Sequence, residues 1–209
     1  MIRFKQLRPR LLPAWLGFAS ENAAHRIAVQ WDQDGVPKEG VFIPRRDTNS
    51  WFNKAVGGRV FPGIFQRSRF EGNESKTEIS LRIVRADGDT EISFAGHVSD
   101  QLPSTSIFPS LAAAAGFFSL GATGYSATYT EGHYHGMELR SLNWAVVPLT
   151  VDRAESCFFD DKNRFPVGTA ILDCALLMRG IDHEWRSRPD LYRSSSASYL
   201  TTHRDRAAA

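Results

Sequence analysis

Cysteine is almost absent: Cys157 and Cys174 are the only two in 209 residues. Two thiols cannot build a disulfide framework or a zinc quartet. They read as reduced thiols of a cytoplasmic protein, with one bridge in an oxidising compartment as the alternative. Long apolar runs are missing too. The nearest, residues 111–120, falls well short of the roughly 18 residues that cross a bilayer, so no membrane partner is expected. The start is basic (Arg3, Lys5, Arg8, Arg10) but has no apolar stretch followed by a small-residue cleavage site. Charge of one sign is also lacking, with 25 Lys and Arg against 23 Asp and Glu, and no dense basic stripe. Nucleic acid is therefore not an expected partner. There is no Gly-x-Ser-x-Gly elbow, Walker loop, Gly-x-Gly-x-x-Gly turn or His-Glu-x-x-His. Serine hydrolase, nucleotide-dependent and zincin chemistry thus have no positive support.

What is present is a period of two. Residues 25–31 alternate Ile27 and Val29 against polar neighbours, turn at Asp32-Gln33-Asp34-Gly35, and return over residues 40–45. Residues 77–83 and 91–98 form a second alternating pair around Asp87-Gly88, a strong hairpin signal. Further strands fall at residues 137–142 and 144–151, and the apolar run 170–181 continues strand-like to Trp185. One helix is embedded near residues 110–121, with Ser110 as N-cap and Gly121 as C-cap, apolar nearly all round and so expected in the core or plugging a barrel end. Residues 121–130 read as a loop and 156–163 as a short helical turn. Short strands without alternating β-α units predict a mainly β, antiparallel, barrel-like domain over residues 1–193, with 194–209 a disordered tail.

Several groupings could carry chemistry. Arg45, Arg46 and Asp47 follow a strand, where two guanidiniums can clamp a carboxylate or phosphate while Asp47 orients one of them; a turn with an ion pair is the alternative. His25 and Arg26 open the partner strand and reach the same end, with His25 either a general base or a hydrogen-bonded strand-end histidine. Glu131, His133 and His135 suggest a metal site, since His-x-His on a strand puts both rings on one face and a third ligand such as His97 or Glu138 would come from elsewhere. But Gly132 and Gly136 frame the pair as a flexible turn, so an exposed hairpin without a metal is the expectation and a metal-dependent enzyme the lesser alternative. Glu138, Asp173 and Arg179 are charges in strand-like surroundings, expected to pair across the barrel or to line a pocket.

The hairpin ending Gly40-Val41-Phe42-Ile43-Pro44, the loop with Asp47, and Gly57-Gly58-Arg59-Val60-Phe61-Pro62-Gly63 together resemble the acetoacetate decarboxylase-like superfamily. Glu155-Ser156-Cys157-Phe158-Phe159-Asp160, Phe165-Pro166 and Asp173-Cys174-Ala175-Leu176-Leu177-Met178-Arg179 are similar to its branch known only as a domain of unknown function. The likeness spans roughly residues 24–185. It implies a cone-shaped β-barrel with an internal pocket. In the decarboxylases, a lysine in a Gly-x-Pro-Lys-type segment forms a Schiff base with a keto acid. Here Gly63 stands where that lysine would be, and Lys54 and Lys76 do not fit the pattern.

The resemblance therefore implies a barrel that binds a small anionic or keto metabolite without a cofactor or Schiff base. Phe61, Arg26, Arg45, Arg46, Asp47 and Arg179 would line the pocket, and His25, Glu138 or Asp173 would carry the proton. A non-catalytic binding or homo-oligomeric module that keeps only the fold is the alternative. Related barrels usually carry more sequence ahead of the first hairpin, which implies an upstream portion.

Overall fold

Alternation builds two sheets in this computed structural model, which describes residues 1–7, 18–51, 63–120 and 123–193. The larger sheet curls into a half-barrel. Its strand order is β1 (Ile2–Leu7), β2 (Phe18–Ala24), β5 (Arg46–Thr48), β6 (Phe65–Glu74), β7 (Glu78–Arg85), β8 (Thr90–Val98), β11 (Val147–Ser156) and β12 (Ala175–Leu177). The smaller sheet runs β13 (His183–Tyr192), β10 (His133–Ser141), β9 (Thr123–Ala127), β4 (Val36–Ile43) and β3 (Ile27–Gln33). The protein is mainly β and mostly antiparallel, as the alternation requires. Two pairings are parallel, β4 with β9 and β5 with β6.

The chain crosses between the sheets by two very short links, residues 25–26 from β2 to β3 and 44–45 from β4 to β5. Pro44 suits such a break, because it has no N–H to give to a ladder. Consecutive residues of extended chain point opposite ways. Each link therefore sends neighbouring side chains to different sheets, and this positions the site.

The hairpin turns follow local chemistry. Asp34 and Gly35 both take positive φ, 56° and 79°, between β3 and β4, and two left-handed residues match the twist of the flanking strands. The Asp32 carboxylate secures this turn by accepting from Gly35 N at 2.9 Å. Gly88, with φ 94°, serves the β7–β8 turn.

The helix α1 (Leu111–Leu120) has its expected N-cap: Ser110 Oγ accepts from Ala113 N at 3.1 Å. Gly121 lies outside the described residues. The helix is not enclosed, since Ala114 is buried but Phe117 and Phe118 remain 51% and 44% exposed. Their rings instead gather on Phe108, with centroids 5.4 and 5.9 Å away. No helix among the described residues is long and apolar enough to cross a membrane.

Two segments differ from the sequence reading. Residues 123–127 form strand β9 where a loop was expected, because Tyr125 packs edge-on against Trp31 at 5.2 Å and Ser126 is buried. The apolar run 170–181 pairs only over Ala175–Leu177 with β11, then turns at Gly180, φ 61°. Charges at both ends of the run are held by distant loops, which stops it continuing as one strand. Residues 156–163 do form helical turns, with Asp160 N donating to Ser156 O at 2.9 Å.

Candidate functional site

The link residues deliver side chains to a buried charge cluster on the larger sheet. His25 comes from the first link, Arg45 from the second, Asp47 from β5, Ser68 from β6 and Glu91 from the start of β8. Asp47 is 0%, Glu91 1% and His25 3% exposed, while the Arg45 side chain keeps 20% of its surface open. Its Nη2 contacts Glu91 Oε1 and lies 3.6 Å from Asp47 Oδ2. Arg85 Nη1 approaches the other Glu91 oxygen at 3.8 Å. Ser68 Oγ donates to Asp47 Oδ1 at 2.9 Å. His25 Nε2 stands 3.7 Å from Glu91 Oε1, too far for a hydrogen bond.

Aromatic rings close this cluster. Phe158 lies against the His25 ring at 4.2 Å and Phe159 at 5.8 Å. A backbone bond from Cys157 N to Glu91 O, 3.0 Å, ties the Phe-bearing turn to β8. Both His25 ring nitrogens and Arg45 Nε are buried with no hydrogen-bond partner among the described residues, while Arg45 Nη2, Asp47 Oδ2 and the Glu91 oxygens meet in the ion pairs above and not in well-aligned hydrogen bonds. Buried polar groups in native proteins are nearly always satisfied, so unbonded ones gathered in one place call for an explanation.

Burial, reinforced by the Arg45 charge and only partly opposed by Glu91, depresses the His25 pKa to about 4. The imidazole is therefore neutral near pH 7 and has a lone pair to accept a proton. Burial raises the Asp47 carboxyl above its usual range, against the lowering effects of Arg45 and the Ser68 hydroxyl. A neutral imidazole, a carboxyl with a raised pKa and a guanidinium paired to two carboxylates thus share one buried spot, the kind of grouping that acid–base sites use.

Arg46 faces the other way. Its Nη2 donates to Ser126 Oγ at 3.0 Å, and its guanidinium lies 5.9 Å from the Trp185 ring on the smaller sheet. Burial and then the nearby Arg26 charge lower its pKa to about 10. Arg26 thus sits with Arg46, while His25 sits with Arg45. The expected double-arginine clamp is divided between two sheets, and Asp47 serves only Arg45. Gly63 also belongs to the Arg46 side. It is buried with φ 114°, and a Cβ there would come within 3.1 Å of Ser126 Cβ and 3.2 Å of Arg46 Nε. No lysine fits that position without rearrangement. Phe61, like residues 57–62 as a whole, lies outside the described residues.

The structure brings none of the other expected residues to this cluster. Asp173 accepts from Ser106 Oγ and Ile107 N, both at 2.7 Å, and these bonds hold its carboxyl below the usual range. It clips a loop beside a groove of about 450 Å³ that includes Ser106, Phe108 and Leu111, and it is poorly suited to carry a proton. Arg179 is exposed and donates to Glu74 Oε1 at 2.8 Å and to the Ser75 and Lys76 carbonyls. Glu138 accepts from Arg188 Nη2 at 2.6 Å across β10 and β13. His133 and His135 share the Asp190 carboxylate of β13, not His97 or Glu138.

Glu91 was the residue missed, since as the first polar position of an alternating strand it reads as solvent-facing. Comparison with protein-family models, curated proteins and solved structures finds no match for this chain. The residues themselves carry the functional reading.

Proposed function

We propose that this domain binds a small carboxylate-bearing or keto compound at the His25–Arg45–Asp47–Glu91 cluster and moves a proton on it without a lysine. The observation that carries this reading is the convergence of four buried ionisable side chains, with both His25 ring nitrogens and Arg45 Nε left without a hydrogen bond beside the Arg45–Glu91 ion pair. Arg45, the most open of the four, would orient the ligand's carboxylate or carbonyl oxygen. His25, neutral near pH 7, would take the proton, and Glu91 would stabilise the resulting imidazolium. Asp47, itself fixed by Ser68, would hold Arg45 in place. The resemblance to the acetoacetate decarboxylase-like superfamily supports the same ligand class, and the crowding around Gly63 argues for a reaction that avoids a Schiff base.

The test is a panel of small keto acids and carboxylates screened by calorimetry, followed by solvent deuterium exchange at the carbon next to the carbonyl. Arg45→Ala should weaken binding by roughly 10- to 100-fold, the loss expected for a charge-assisted hydrogen bond. His25→Gln should retain binding and stop exchange. Undiminished binding by a folded Arg45→Ala variant refutes the placement. The Phe158 ring packed on His25 favours a second reading, a binding module without catalysis. That reading predicts tight binding with no exchange in the wild type.

A further inference from the structure

We infer that His133, His135 and Asp190 form a binding site for one divalent first-row transition ion, with zinc the leading candidate. The site is separate from the His25 cluster and does not depend on the function proposed there. His133 and His135 alternate along β10 and so share one face. The third ligand comes from an irregularity in the neighbouring strand. Tyr134 pairs with Leu191 and Gly136 with Arg188, so two residues of β13 oppose the single residue His135. Such a bulge re-aims a side chain, and here it turns Asp190 between the two rings.

The surrounding sequence is fitted to that bulge. Pro189, within it, needs no partner N–H because β13 is the edge strand. Gly136 stands where the bulged backbone comes closest, and a side chain there would collide with the Pro189 carbonyl oxygen. Gly136 N also donates to Asp190 Oδ1 at 3.1 Å. That bond orients the carboxylate and leaves Oδ2 for both imidazoles, with His133 Nε2 at 2.8 Å and His135 Nδ1 at 2.9 Å. The His133 ring is held flat against Tyr192, 4.6 Å away and 2° from parallel. Second contacts of this kind, a backbone bond on the carboxylate and a fixed ring, are what orient metal ligands.

The donor atoms all lie within 4.8 Å of one another. Tetrahedral zinc, with bonds of about 2.0–2.1 Å, sets its ligand atoms about 3.3 Å apart. An ion can therefore replace the protons now shared with Asp190 Oδ2 after sub-ångström adjustments along those two edges. Two imidazoles and one carboxylate suit zinc, copper, nickel or iron over calcium and magnesium. The side chains of His133, His135 and Asp190 are 20%, 28% and 30% exposed. With three protein ligands at the surface, the ion keeps a position open to water or an anion.

Cobalt(II) and then zinc(II) should be titrated into the full, untagged chain after chelator treatment. The expected result is one ion per chain, with the strong visible bands of four- or five-coordinate cobalt, bleached by zinc. Asp190→Asn and His135→Gln should each weaken binding by at least about tenfold. His133→Gln, which can still hydrogen-bond to Asp190, serves where another variant fails to fold. A weak octahedral cobalt spectrum, or binding equal to wild type in the folded variants, would overturn the assignment.

Discussion

Lowering the pH should destabilise this protein through His25, and the size of the effect follows from its burial. Folding holds the imidazole pKa at about 4 against 6.5 in the unfolded chain. A depressed base pKa means that the unfolded state takes up a proton that the folded state refuses. Stability from this residue is intact above 6.5 and declines as pH falls towards 4. Linkage gives a loss of about 2.5 kcal/mol between about pH 7 and pH 4.5, or roughly 5–10 °C in Tm for a chain of this size. Asp47 works in the opposite sense. Its raised pKa lets the folded state keep a proton that the unfolded carboxyl has lost, so acid favours folding through Asp47. His183, whose pKa burial also lowers, adds to the His25 trend. Both remain in a His25→Gln variant, so the difference between variant and wild type isolates His25. Urea unfolding of both proteins across that pH range is the assay. The variant should show the flatter profile by about 2.5 kcal/mol. Parallel profiles would mean that His25 is exposed to solvent and charged in the native state, and the proposed base would lose its rationale.

Other outcomes follow from the same contacts. Arg45→Met should cost about 3 kcal/mol by stranding Glu91 and Asp47, whereas Arg45→Met with Glu91→Leu should recover much of it while abolishing ligand binding; denaturant midpoints and calorimetry check both. Gly63→Lys should destabilise by more than about 2 kcal/mol, given the positive φ and the crowding by Ser126 and Arg46. It should also give no borohydride-trapped adduct with a keto acid, read by mass spectrometry. Ser110→Ala should lower stability by about 1 kcal/mol through loss of the α1 cap, measured by thermal unfolding. Arg179→Ala, at an exposed site, should cost under about 1 kcal/mol and leave ligand affinity unchanged.

What could be read from the sequence was local. The turns at Asp34-Gly35 and Asp87-Gly88 and the Ser110 cap depend on residues adjacent in the chain, and all three appear where expected. Strand β9 was hidden because Gly124 and Ser126 look like loop residues, and only the fit against Trp31 and Ile43 makes them strand. The far half of β13 was hidden by Pro189, which reads as a strand breaker until the bulge and the edge position are known. Glu91 became part of the site only when the turn carrying Phe158, some sixty-seven residues on, folded over the cluster. No single-strand periodicity contains that contact.

The link at residues 44–45 explains why adjacent arginines have different chemistry. A strand end with Arg-Arg-Asp suggests one anion clamp, yet the chain leaves one sheet for the other there. Alternation then sends Arg45 to two carboxylates and Arg46 to a hydroxyl and an indole. The same division holds at His25 and Arg26. Residue 63 falls on the Arg46 side, against Ser126, whereas His25 and Glu91 are on the Arg45 side. A nucleophile at residue 63 and the His25 proton carrier would therefore serve opposite faces of one link. The proposed lysine-independent reading thus needs no lost residue to explain it: His25, Asp47 and Glu91 are gathered with Arg45 on the face away from Gly63.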